Sequence, residues 1–97
     1  MDTLQKVLKK LHIEDRGRYD NHFYIINLDN SDDYAKMYTT LSNYAVNTEF
    51  PEFEKNSNNA TTKVVNYFET EEDSITFDIF LFANFVEDKY YVKIKER

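Results

Sequence analysis

The stretch SITFDIFLFANF, Ser74 to Phe85, is the longest run in which aromatic and β-branched residues follow one another with a single charge among them. Successive side chains of a strand point to opposite faces. Ile75, Phe77, Ile79 and Leu81 therefore share one face, while Phe80 and Phe82 lie on the other. Part of this strand is apolar on both sides, so both faces need covering. Thr62 to Thr70 and Lys89 to Glu96 read as flanking strands, separated from it by Glu71-Glu72-Asp73 and Val86-Glu87-Asp88. Connections that short make successive hairpins, and the C-terminal third is expected to be a three-stranded antiparallel meander. Carried to its neighbours, the same alternation puts Tyr67, Phe80, Phe82 and Tyr91 opposite Phe68, Ile79, Leu81 and Tyr90. Those four rings are either the floor beneath a helix, the commoner arrangement, or a binding patch.

Upstream, Leu4, Val7, Leu8 and Leu11 fall at i, i+3, i+4 and i+7, the stripe of an amphipathic helix over about residues 3 to 12, with Asp2 or Thr3 to cap it. Ile13 to Asn21 is charged, without a period, and reads as a connection; His22 to Leu28 reads as a strand. Ser31, followed by Asp32 and Asp33, suits a helix start, and Tyr34, Met37, Tyr38 and Leu41 repeat the helical stripe to about Asn43 or Tyr44. Tyr44 to Phe53 contains Pro51 and is expected to be a short edge strand or an extended loop. Residues 55–61, rich in Asn and Ser, are expected to form a mobile loop. The expected fold is α+β: two amphipathic helices packed on an antiparallel sheet of about four strands, in the order α-β-α-(β)-β-β-β.

The length of 97 residues allows roughly 65% of the unfolded surface to be buried in one core, so residues 1–97 are read as a single domain. Eight Tyr and eight Phe supply apolar area that a disordered chain lacks. Zero Cys excludes disulfides, thiolate nucleophiles and thiolate metal sites, and is compatible with a reducing compartment. A single glycine, Gly17, excludes Gly-rich phosphate loops, dinucleotide fingerprints and nucleophile elbows. Residues 1 to 11 have no continuous apolar segment of the secretory kind, and the longest apolar run, Ile79 to Ala83, is far shorter than the ~20 residues of a membrane span. A cytoplasmic protein without a membrane segment is expected.

His12 and His22, with Glu14, Asp15 and Asp20 between them, form the one His-carboxylate group worth weighing as a metal site. Spread across a turn, they are better explained as solvated side chains. Asp29, Asn30, Ser31, Asp32 and Asp33 lack the sixth-position Gly and twelfth-position Glu of a calcium loop, and a helix cap accounts for them. No Ser sits at a spacing that favours a catalytic triad, and the carboxylates at the expected hairpin tip are of the solvated kind. The expectation is no enzyme, no cofactor, no metal and no catalytic residue.

Twelve basic against 18 acidic side chains give a net charge of −6, unevenly spread. Between Val64 and Asp88 stand seven acids, Glu69, Glu71, Glu72, Asp73, Asp78, Glu87 and Asp88, and no base. That segment repels phosphate backbones and attracts basic surfaces. The basic residues Lys6, Lys9, Lys10, Arg16 and Arg18 gather near the N-terminus as an alternative anion-binding group. The first functional expectation is a small acidic protein-interaction domain. It is pictured as an accessory protein or inhibitor of a phage or mobile element, binding a basic, nucleic-acid-handling protein with carboxylates standing in for phosphates, in the manner of a DNA mimic. Its expected contacts are the seven acids and the rings of Tyr67, Phe80, Phe82 and Tyr91. The alternatives are a small nucleic-acid-binding or regulatory domain using the basic N-terminal group, and a homodimeric structural subunit whose open sheet face closes on a second copy.

Overall fold

A computed structural model describes the backbone of residues 2–55 and 61–97 and the side chains of 2–49 and 62–97. The chain runs α1 (Thr3–Lys10), β1 (Arg18–Asp20), β2 (Phe23–Leu28), α2 (Ser31–Tyr44), β3 (Asn47–Lys55), β4 (Thr61–Glu72), β5 (Ile75–Asn84) and β6 (Lys89–Glu96). All six strands form one antiparallel sheet in the order β1-β2-β6-β5-β4-β3. This corrects the expected architecture of about four strands in the order α-β-α-(β)-β-β-β: strands, not helices, dominate, and the first hairpin is joined to the last strand.

β1, and β3 where an edge strand or an extended loop was expected, both lie at sheet edges. Arg18, Tyr19 and Asp20 of β1 are all exposed, so no apolar period marks them. What marks the hairpin is its turn. Asn21 and His22 both have positive φ, 49° and 73°, as a two-residue turn matching the twist of paired strands requires, and Asn is among the residues that tolerate it. Asp73 and Ser74 make the same kind of turn between β4 and β5, with φ of 52° and 66°. β3 accommodates Pro51 through a register shift between Glu49 and Glu52, so the proline costs a local bulge rather than the strand. Of the loop expected at 55–61, residues 56–60 lie outside the described residues, and Lys55 pairs with Thr61 at its base.

Both helices pack on the same face. Val7 and Leu8 from α1, Leu11 at its C-cap, and Met37 and Leu41 from α2 meet Tyr24, Ile26, Leu28, Phe68, Phe77, Ile79, Leu81, Val92 and Ile94 in one core. Asp2 caps α1 by accepting from the Gln5 amide at 2.8 Å. The cap of α2 is Asn30, one residue before the expected Ser31, because its Oδ1 accepts from the Asp33 amide at 2.9 Å. The single buried amide side chain among the described residues is satisfied: Asn66 Nδ2 donates to the Tyr34 hydroxyl at 3.0 Å, tying β4 to α2.

Gly17 is needed for closeness rather than turning. A Cβ there would lie 2.6 Å from the Ile25 carbonyl oxygen and 2.7 Å from the Tyr24 ring. Its amide also donates to the Tyr24 hydroxyl at 2.9 Å, while that hydroxyl donates to Asp15. Gly17→Ala is expected to destabilise the fold by about 1–3 kcal/mol, the usual cost of overpacking. Urea unfolding followed by circular dichroism checks this, and an unchanged midpoint would show that the loop carrying Asp15 can move away freely.

Candidate functional site

The face of the sheet opposite the helices is covered by no element among the described residues. Phe23 (β2), Tyr91 and Lys93 (β6), Phe80 and Phe82 (β5) and Tyr67 (β4) project from it, each half-buried. They shield one another. Phe82 stacks on Tyr91 with ring centres 4.6 Å apart and planes 12° from parallel. Tyr67 and Phe80 are 5.2 Å apart, and Phe80 reaches edge-on to Phe23 at 6.0 Å. Ile25, beside them on β2, is nearly buried yet stands outside the helix-side core. The rings thus form a second, thinner apolar layer.

Lysines lie across this layer. Lys93 Nζ is 5.4 Å from the centre of the Phe82 ring, 5.5 Å from Phe23 and 6.0 Å from Tyr91, and Lys95 Nζ is 5.7 Å from Phe23. Neither makes an ion pair among the described residues. Phe23, Lys93 and Lys95 were missed by reasoning from the sequence. The alternation YYVKIK, Tyr90 to Lys95, puts both lysines on the same side as Tyr91 and was the available signal.

The four rings named from the sequence, Tyr67, Phe80, Phe82 and Tyr91, thus share one open face. The seven acids do not come together. Asp78 and Glu69 lie on this face but share one cation: Arg97 Nη2 is 2.6 Å from Asp78 Oδ1 and 2.9 Å from Glu69 Oε1. The same nitrogen donates to the Tyr67 hydroxyl at 3.0 Å, which itself donates to Asp78. Burial pushes the Asp78 carboxyl up, but the bonds from Arg97 and Tyr67 outweigh it and hold the group below the usual range.

Glu72 and Asp73 act on the helix side. Lys10 and the Tyr44 hydroxyl both reach Glu72 Oε2, at 2.7 and 3.0 Å, and Lys6 reaches Asp73 Oδ2 at 2.7 Å. The hydrogen bonds from the two lysines are the main reason both carboxyls sit low. These pairs pin α1 to the β4–β5 turn. Glu87 faces Lys89 at 3.7 Å, and Glu71 and Asp88 are exposed.

The basic group is dispersed as well. Lys6 and Lys10 are committed to Asp73 and Glu72, and with Lys9 they line a groove between α1 and α2 that Glu72 also lines. Arg16 donates to the Asn27 carbonyl at 2.9 Å and faces Asp29 at 3.6 Å, while Arg18 is on β1. His12 and His22 are exposed at separate turns, and among the described residues no group of three or more potential ligands converges on a metal position.

Burial first, then the hydrogen bond to Asp78, pushes the Tyr67 phenol up to about 12; burial and Glu72 do the same for Tyr44. A phenol whose folded pKa exceeds its ordinary 10 adds stability that is complete below pH 10 and lost as the pH climbs toward 12. Tyr67→Phe should therefore show a smaller loss of stability between pH 8 and the alkaline limit than the wild type. Urea midpoints across that range test it, and parallel pH profiles would mean that folding does not raise the phenol.

Among the described residues no helix is long and apolar enough to cross a membrane. No protein-family model, curated protein or solved structure significantly matches the chain.

Proposed function

We propose that the protein is a small non-enzymatic interaction domain that docks on a protein partner through the helix-free face of its sheet. The observation that carries this reading is the placement of both helices on one side, which leaves Phe23, Tyr67, Phe80, Phe82 and Tyr91 without a covering element among the described residues. Rings clustered at the centre of a surface and rimmed by charge are the usual source of grip in protein interfaces. The net charge of −6 acts at longer range, speeding encounter with a basic partner such as a nucleic-acid-handling protein. In this reading the acids act as a distributed field rather than as one phosphate-mimicking patch. An inhibitor or accessory protein working in the cytoplasm is the proposed role, with which a Cys-free chain is compatible.

The experiment is a nuclease-treated pull-down from the native host with three baits: wild type, Phe82→Ala/Tyr91→Ala, and Lys36→Ala on the exposed side of α2. A single protein retained by the first and third and lost by the second supports the reading. Equal retention by all three would move the docking surface elsewhere, and retention only without nuclease would show that nucleic acid is the bridge.

A further inference from the structure

On the open face the charges divide by strand. Lys93 and Lys95 belong to β6, Lys95 standing cross-strand from Asp78; Glu71 belongs to β4 and Glu49 to β3, and none of the four comes within ion-pair distance of an opposite charge among the described residues, while Lys63 is a base on the β4 side. β5, bearing Phe80 and Phe82, runs between the two flanks. Farther out, Arg18 and Asp20 both stand on β1 and offset one another, and the Arg97, Asp78 and Glu69 group carries one negative charge in excess beside the acidic flank. Among the described residues the face therefore carries an excess of bases on the β6 side of its ring layer and an excess of acids, Glu69, Glu71 and Glu49 against Lys63, on the other.

A surface with that division is complementary to itself. A two-fold axis lying in the contact plane along β5 reverses the left-to-right order of strands while keeping the position along them. It lays β6 of each copy over β4 of the other and the Phe80 and Phe82 layers against each other. Lys93 and Lys95 then face the Glu49 and Glu71 flank, twice over by symmetry. Face-to-face packing of two antiparallel sheets about 10 Å apart is a standard way to close such a layer, and it places the rings at its dry centre.

We infer that in the free protein the open sheet face is occupied by a second copy of this chain, in an isologous dimer registered by the Lys93 and Lys95 flank against the Glu49 and Glu71 flank. Two chains of net charge −6 repel at a distance, but salt confines that repulsion to about 8 Å at physiological strength, whereas the flank contacts act at close range. This inference uses the same face as the proposed function and does not need the partner to exist. A partner protein would engage by displacing the second copy.

Two charge-reversal variants test it by sedimentation equilibrium, with circular dichroism confirming that each folds. Lys93→Glu/Lys95→Glu turns the basic flank acidic, and Glu49→Lys/Glu71→Lys puts bases on the opposite flank. Wild type is expected to be dimeric, and each variant alone should dissociate at least tenfold more readily through like-charge repulsion. An equimolar mixture of the two should re-form a one-to-one dimer at least as tight as wild type. A wild type monomeric up to submillimolar concentration overturns the inference, as do variants that dimerise unchanged or a mixture that fails to associate. A monomeric wild type that shifts a labelled single-stranded oligonucleotide would also overturn it, giving the face to nucleic acid. Loss of partner capture with the dimer intact removes the proposed function alone; a monomer whose partner binding is lost in Phe82→Ala/Tyr91→Ala removes this inference alone.

Discussion

Phe77→Ala is expected to lower the free energy of unfolding by about 3–5 kcal/mol, the range for truncating a fully buried aromatic. The ring is 2% exposed and belongs to the helix-side core, on the same face of β5 as Ile79 and Leu81, both fully buried. A domain of this length has a total stability on the order of 5–15 kcal/mol, so the variant should be near the edge of folding. Phe80, three residues along and on the opposite face, provides the contrast. Its ring is already half in water, and truncation there should cost roughly 1–2 kcal/mol, mostly from lost ring contacts with Tyr67 and Phe23. Urea unfolding with a common m-value compares the two. Equal losses would mean that the helices do not divide the faces as described.

The second large effect is on binding. Phe82→Ala should weaken engagement of the captured partner by about 2–4 kcal/mol, or roughly 30- to 800-fold, as truncation of a central aromatic anchor does. Phe82 is stacked on Tyr91 and lies beneath Lys93, so removing it also leaves two neighbours without their contact. Calorimetric titration reads the affinity, and far-UV circular dichroism shows whether the fold persists. A loss under threefold would indicate that the ring serves packing within the face and nothing beyond it.

How far the sequence disclosed this arrangement depended on how much each element buries. Strand β5 was legible because aromatic and β-branched residues fill both of its faces between short acidic turns, and strand alternation then assigns each to a face. Helix α1 was legible because Val7, Leu8 and Leu11 are its buried stripe. Strand β1 was not, since three exposed residues held by backbone hydrogen bonds carry no hydrophobic period, and its turn was hidden in a charged segment read as a connection. Strand β3 was obscured by Pro51, whose accommodation in a bulge depends on the register with β4 rather than on local preference. The aromatic part of the candidate site followed from strand alternation. The charged part did not, because proximity along the chain says nothing about cross-strand partners: Arg97 is remote in sequence from Glu69 and Asp78 yet bridges both, and Lys6 and Lys10 reach across from α1 to Asp73 and Glu72.

The claim on which the rest stands is that the protein works through the sheet face its helices leave uncovered. Side-chain resonances recorded by nuclear magnetic resonance during a titration with the captured partner test this most directly. The account predicts that the signals of Phe23, Tyr67, Phe80, Phe82, Tyr91 and Lys93 shift first and furthest, with the outward side of α2 unmoved. Shifts concentrated instead in the groove between α1 and α2, or around Glu71, Glu87 and Asp88, with the ring signals unchanged, would contradict it.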